Sequence, residues 1–352
     1  MTHSTTQNNY SRILIIRIDR IGDMVLSTPL IESMRNAYPS AHIAVMVQPY
    51  VQDVVQKNPY LNEVIIYNKK HIENSWAGFF RFAAEIRKKK FDLVLVLHPT
   101  NIVHCLSLLA GISRRIGYDR KMSFLLTDRI KHTKHLGQKH EMEYVLDFVR
   151  HLQIAPVHRG PHVPLNPVSE QWADALFQKQ GISSADKVLA LHPGTSCSSK
   201  MWPAERFARA ADELVKARGF KVVVLGGPDE KEITQKVVQY MISPAIELAG
   251  ISVSQDMSVL KRCHLLITTD CGIMHIGAAL GIPLVVIFGR KQAGISPVRF
   301  GPVNTKNRVL HKDVGCTTCL AHDCLRGFAC LYAVTVPEVV DASLALIGDA
   351  HA

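Results

Sequence analysis

Two phosphate-binding signatures are missing from the 352 residues: neither G-x-G-x-x-G nor G-x-x-x-x-G-K-[ST] occurs. Dinucleotide-dependent redox chemistry and P-loop chemistry therefore have no support in the chain. No export signal is expected either. Met1 to Arg12 is polar, and the apolar run that follows, Ile13 to Ile16, is too short for a signal-peptide core. A 19-residue uncharged stretch, Cys271 to Gly289, is interrupted by Gly272, Gly277, Gly281 and Pro283 and contains His275. It reads as a short helix, a turn and a buried strand rather than a membrane span. Eight cysteines without an export signal argue for reduced thiols or a bound metal, not disulfides. No short repeat and no low-complexity tract breaks the chain.

What is present is an apolar fraction of 47% with 20% charged residues, the balance of a folded globular protein. The length exceeds one ordinary α/β domain and suits two. The net charge of +11 is uneven: residues 1–165 hold 22 basic and 13 acidic side chains, the remainder 19 and 17. An anionic partner is therefore expected to meet the N-terminal half.

Short β-branched runs alternate with amphipathic stretches throughout. Strands are predicted at Ile13–Ile18, His42–Val47, Glu63–Tyr67 and Asp92–Leu97, with helices such as Met24–Ala37 and Trp76–Lys89. The segment Ala155–Pro167 carries four prolines and reads as a stiff linker. Beyond it, strands are predicted at Lys187–Leu191, Lys221–Leu225, Leu265–Thr268 and Leu284–Phe288. Helices are expected near Ala204–Ala217, Glu230–Met241, Ile273–Leu280 and Pro337–Ile347. Continuous apolar strands separated by helices mean parallel sheets covered on both faces. The expected fold is α/β, two Rossmann-like domains facing across a cleft, over residues 1–165 and 166–335, with a C-terminal helix in 336–352. Ligands in such sheets bind at the carboxyl ends of the strands.

Four loops at those ends carry chemistry. The first is Arg17-Ile-Asp-Arg-Ile-Gly-Asp23, where Asp23 is either a helix N-cap or a carboxylate able to take a proton from a hydroxyl, with Asp19 a second candidate. The second, His192 to Pro203, offers Gly194 for close backbone approach, hydroxyls at Thr195, Ser196, Ser198 and Ser199, and a cation at Lys200, a composition suited to a diphosphate. The third, Gly226-Gly-Pro-Asp-Glu230, places a carboxylate where ribose hydroxyls bind. The fourth, Thr268 to His275, puts Asp270 before a helix whose N-terminus at Gly272 favours a phosphate, with His275 one turn in.

In order, R-x-D-x-I-G-D, H-P-G-x-S, K-x-W-P, L-G-G-P-x-E and D-x-G-x-M-H-x-x-A-A-L-G-x-P resemble glycosyltransferase family 9, the ADP-heptose:lipopolysaccharide heptosyltransferases. The resemblance runs from about Ile13 to Ile347. It implies a GT-B fold, with an acceptor on the N-terminal domain and a nucleotide sugar on the C-terminal one. It makes Asp23 the catalytic base and brings Lys200 to the donor phosphates. It closes Asp270, Gly272 and His275 on the diphosphate and assigns Glu230 to the nucleoside, with Glu232 as a substitute; Gly194, Thr195, Ser196 and Gly227 complete the donor set. Cys271 stands where the family usually has Ser or Thr, and a thiol is a poor donor. The implied reaction is an inverting transfer of heptose from ADP-heptose to the inner core of lipopolysaccharide. Alternatives are transfer to a protein, transfer of another nucleotide sugar to a glycan, a sugar-nucleotide epimerase or a silent nucleotide-binding paralogue. The absence of D-x-D leaves charge on the leaving ADP to Lys200 and backbone amides, so no cofactor is required for catalysis.

The basic run from Arg114 to His140, including Arg114, Arg115, Arg120 and Lys121, is the expected contact for an anionic acceptor or membrane surface. No nucleic-acid partner is indicated, and the expected location is the cytoplasm, peripheral to the inner membrane. Cys316, Cys319, Cys324 and Cys330, spaced C-x2-C-x4-C-x5-C, are the candidate ligands of a structural zinc or iron.

Overall fold

The computed structural model describes residues 9–303 and 305–348; the polar opening at 1–8 and the last four residues of the segment 336–352 lie outside the described residues. The chain divides into two units. The first takes residues 1–133 and 142–159, the second 134–141 and 160–352. Each is built on six parallel strands.

In the first unit, β1 (Arg12–Ile16), β2 (His42–Val47), β3 (Glu63–Ile66), β4 (Leu93–Val96), β5 (Arg114–Tyr118) and β6 (Asp128–Ile130) line up as β3-β2-β1-β4-β5-β6. In the second, β7 (Val188–His192), β8 (Lys221–Gly226), β9 (Ala245–Ala249), β10 (Leu265–Thr269), β11 (Leu284–Ile287) and β12 (Asn307–Leu310) line up as β12-β11-β10-β7-β8-β9. Read from the opposite edge, the second order is the first repeated. In both sheets the order reverses beside the first strand, between β1 and β4 and between β7 and β10. Ligands of doubly wound sheets collect at that switch point, outside the strand ends.

The central strands read as continuous apolar runs because helices cover both faces. β7, β10 and β11 are buried at every position. Each fully buried Val, Leu or Ile contributes about 1.5–3 kcal/mol relative to exposure. Trp202, fully buried beside Phe207, donates its indole N–H to Val334 O at 3.1 Å and so anchors the loop that carries Lys200. The Val336–Ile347 helix adds Val339 and Leu346 to the same core and opens with a capping box between Thr335 and Glu338. The uncharged stretch resolves into the Gly272–Ala279 helix, a turn and β11. Among the described residues, no helix is long and apolar enough to cross a membrane.

Three expectations are corrected. The helix expected at Met24–Ala37 is two helices, Ile21–Val25 and Thr28–Ala37. Ser27 Oγ donates back to Asp23 O and Thr28 Oγ1 to Val25 O, both at 2.7 Å, and Pro29 cannot supply the N–H that would continue the first helix. The boundary expected at residue 165 falls at Arg159 and Gly160, and the chain also enters the second unit at residues 134–141. Glu141 fixes that excursion: fully buried, it pairs with Lys134 at 2.6 Å and Arg299 at 2.7 Å. Gly137, at φ +58°, packs so closely on Ala293 that a Cβ would lie 2.0 Å from its carbonyl oxygen.

The basic run is the third. Arg114 and Arg115 sit in β5, where Arg114 is bound to Asp128 and Tyr10 while Arg115 donates to the carbonyls of Leu125 and Ile112. Arg114 thereby ties β5 to β6, and Arg115 holds the turns on either side of β5. Arg120 and Lys121, in the turn beyond β5, are exposed.

Candidate active site

At the switch point of the first unit, the turn after β1 is organised by Arg17, a fully buried guanidinium. Its Nη2 donates to Asp23 Oδ1 at 2.7 Å, its Nε lies 2.9 Å from Asp19 Oδ1, and its Nη1 donates to Leu97 O at 3.2 Å. Both carboxylates are mostly covered, each with 18% of its side chain exposed. Asp23 is not an N-cap: it lies inside the Ile21–Val25 helix, whose N-cap is Arg20. Arg17, itself tied to Leu97 O just beyond β4, orients Asp23 through Oδ1.

The second unit's switch point is far more heavily charged. Lys200 Nζ lies 3.0 Å from Asp270 Oδ2, and Arg290 donates to the same oxygen from the loop after β11. All three residues are buried, so two cations share one carboxylate and the cluster carries a net positive charge away from water. Such a cluster is stable when an anion completes it. The Gly272–Ala279 helix starts at the same place, and His275 lies buried one turn in. Thr195 Oγ1 and Thr269 Oγ1 are buried without a hydrogen-bond partner in the protein. Polar atoms left so are what a polar ligand satisfies.

Behind this cluster runs a relay centred on the buried His192. His192, the last residue of β7, approaches Cys271 Sγ with Nδ1 at 3.6 Å and Glu230 Oε2 with Nε2 at 3.4 Å. Glu230 also accepts from the Gly227 N–H at 2.8 Å and closes over Gly194, where a Cβ would come within 2.1 Å of its carboxyl carbon. Glycine at 194 thus admits a carboxylate of the protein itself. Burial pushes the His192 imidazole down, but Cys271, Glu230 and Asp256 outweigh it and raise it to about 9. Burial lifts the Asp256 carboxyl to about 8, with His192 opposing and Glu230 adding.

The sequence-selected donor residues Gly194, Thr195, Lys200, Gly227, Glu230, Asp270 and Cys271, with Gly272 and His275 in the first turn of the following helix, thus stand at neighbouring strand ends of one sheet, while Ser196 is exposed on the Gly194 loop. Glu232 does not join them; it lies out on the next helix, exposed and paired with Lys236 at 2.6 Å. Sequence reasoning missed Arg290, Asp256 and the roles of Arg17 and His192. Only Arg17 and His192 had a signal, as the first letters of motifs whose partners lie elsewhere in the chain.

Cys316, Cys319, Cys324 and Cys330 line one cavity of about 190 Å³ together with Arg290 and His311. No three of the described His, Cys, Asp or Glu side chains converge as a metal centre requires. Cys330 instead donates its S–H to Gly289 O at 2.8 Å, and burial pushes its thiol up. As placed, the four thiols do not fit a tetrahedral ion. The segment is tied to the Lys200 loop through Ser199 Oγ and His322 Nδ1, 3.2 Å apart.

Two parallel six-stranded sheets of one strand order are the architecture of the GT-B fold. The sequence model of glycosyltransferase family 9 (heptosyltransferase) matches residues 79–328, and the chain belongs to that family. It is 26% identical over 314 residues to lipopolysaccharide heptosyltransferase 2 of Salmonella typhimurium, covering 86% of this chain and 89% of that protein. A solved family 9 glycosyl transferase from Veillonella parvula superposes with a TM-score of 0.86 at 27% identity, covering 96% of this chain and 97% of that one. The Escherichia coli ADP-heptose lps heptosyltransferase II shares the fold, with a TM-score of 0.79 at 24% identity over 96% of this chain and 98% of its own.

Proposed function

We propose that the protein is an inverting heptosyltransferase that moves heptose from ADP-L-glycero-D-manno-heptose to the inner core of lipopolysaccharide. The observation that carries the reading is the buried Lys200–Asp270–Arg290 cluster at the second switch point, one net positive charge beside a helix N-terminus. The similarity to lipopolysaccharide heptosyltransferase 2 supports the choice of sugar and acceptor.

In this reading Asp23, held by Arg17, takes the proton of the acceptor hydroxyl as its oxygen attacks the anomeric carbon of the donor. The bond from that carbon to the diphosphate oxygen breaks in the same displacement, and the configuration inverts. The electron pair leaves with ADP. Lys200, Arg290 and the amides at Gly272 stabilise the added charge in a site shielded from water. Glu230 takes the ribose hydroxyls, and Thr195 Oγ1 gains the partner it lacks within the protein. No step passes through a metal.

The reading places the enzyme on the cytoplasmic face of the inner membrane. Its support is a patch on the first unit. Trp76, 78% exposed, stacks on Phe80, 52% exposed, beside exposed Lys69, Lys70 and Arg81. Aromatic rings flanked by cations suit an anionic lipid interface. Arg120 and Lys121 remain the proposed acceptor contacts.

ADP release from ADP-heptose, measured with and without heptose-deficient lipopolysaccharide, tests the reaction. Acceptor-dependent release with a heptose-sized mass gain on the acceptor is the expected result. Turnover of the donor with no acceptor present would favour an epimerase. Release into a protein or another glycan would move the acceptor assignment.

A further inference from the structure

Where the resemblance leads one to expect a hydroxyl, this chain has a thiol, and the thiol is not isolated. Cys271 Sγ lies 3.6 Å from His192 Nδ1, and the far side of the same ring lies 3.4 Å from Glu230 Oε2. Sulfur, imidazole and carboxylate stand in a row, the order in which a base lowers the cost of a thiolate and an acid orients the base. Thr268 Oγ1 adds a contact to Sγ at 3.3 Å, and Cys271 is the N-cap of the Gly272–Ala279 helix, whose positive end favours an anion. Cys271 is a half-buried residue, whereas Cys263 is buried. Cys105 touches the sulfur of Met122, and Cys197 the hydroxyl of Ser199, so neither has an imidazole in these contacts.

We propose that Cys271 is a modification site, a nucleophilic thiolate paired with the His192 imidazolium, which peroxides oxidise to a sulfenic acid inside the donor loop. The thiolate attacks one peroxide oxygen, the O–O bond breaks, and hydroxide leaves with the electron pair. The His192 proton converts it to water, so sulfur is oxidised and peroxide reduced. A hydroxyl at position 271 cannot undergo this step. The added oxygen stands next to Asp270 and the helix N-terminus, in the space the proposed donor diphosphate takes. That consequence rests on the donor-site reading; the reactivity of the sulfur does not.

The pair sits among charged groups drawn from several elements. His192 comes from the end of β7, Glu230 from the turn after β8, Asp256 from the Val253–Leu260 helix, and Asp270 from the loop after β10 with its cations Lys200 and Arg290. Burial pushes the Cys271 thiol up, but the charge and hydrogen bond of His192 outweigh it and bring it below the ordinary thiol range.

The test uses the whole protein and iodoacetamide as probe, with alkylation at residue 271 read by peptide mass spectrometry between pH 6 and pH 8. Glutathione in the same buffer, an ordinary thiol, slows nearly tenfold per unit as pH falls below its pKa. The expected result is a clearly shallower fall for Cys271, steepened toward the glutathione slope in His192→Gln. No labelling at 271, or a wild-type slope equal to that of glutathione, overturns the proposal even if the variant does not fold. Hydrogen peroxide followed by dimedone should tag the same residue, and a tag confined to other cysteines overturns the oxidation step. Saturating ADP separates the two readings. Slower labelling together with a raised Tm supports both. No Tm shift with labelling unchanged removes the donor reading and leaves the thiolate standing.

Discussion

The two halves of the molecule share one sheet order and differ in what they load onto it. At the first switch point a single buried arginine holds two partly exposed carboxylates, Asp19 and Asp23. At the second, Lys200, Arg290, Asp270, His192 and Asp256 are all buried, drawn from the end of β7, three loops and a neighbouring helix. The same fold therefore offers a proton acceptor in one half and an anion receptor in the other. Topology sets where a site forms, and the side chains at the strand ends set its chemistry.

The difference is open to direct attack. Asp23→Asn should lower transfer by about 10²–10⁴-fold, the range of a lost general base, with ADP affinity intact. Equal loss of both in a transfer and ADP-binding assay would end the division of labour between the halves. Lys200→Ala should act oppositely, weakening ADP binding and lowering transfer by about 10²–10³-fold, as loss of a leaving-group stabiliser does. Unchanged ADP affinity would take the anion receptor out of the second unit.

Stability responds differently too. Arg17→Leu leaves two close carboxylates without their shared cation and should cost about 3 kcal/mol, seen in urea unfolding. A cost below 1 kcal/mol would mean that Arg17 orients Asp23 without supporting the turn. In the second unit, His192 is raised to about 9 in the folded protein, so its contribution is complete below pH 6.5 and is lost as pH rises through 9. The Tm gap between wild type and His192→Gln should therefore narrow over pH 6.5 to 9; a constant gap would remove the imidazolium from the folded state. The smallest effect is expected at Glu338→Gln, far from either site. Its carboxyl is held near 2 by Lys312 and by the Thr335 amide, and loss of that carboxylate should cost about 1 kcal/mol or less in thermal unfolding at neutral pH.

Legibility followed distance along the chain. The loops at Arg17–Asp23, Gly194–Lys200 and Asp270–His275 could be read because strand, turn and helix start lie within a few residues of one another. Arg290 could not, since it reaches Asp270 across 20 residues and an intervening strand. Asp256 met His192 from a helix 64 positions on, and nothing in its own segment marked it as buried. Arg114 misled for the same reason: its charge was visible and its partner Asp128 was not, so a guanidinium that joins two strands looked free. The strands β5, β6, β9 and β12 escaped notice because they are partly polar, with stability that comes from their neighbours in the sheet.

By itself the sequence determined the alternation of strand and helix, the two-unit plan and the strand-end loops. Apolar periodicity and turn residues act over a few positions, and they need no knowledge of the rest of the chain. The tertiary structure alone decided which charges are shared and which are free. It placed two cations on Asp270, set His192 between Cys271 and Glu230, kept the four late cysteines from converging, and carried residues 134–141 into the second unit. Electrostatic partnership depends on separation in space and on exclusion of water, and neither quantity is written in the order of the residues.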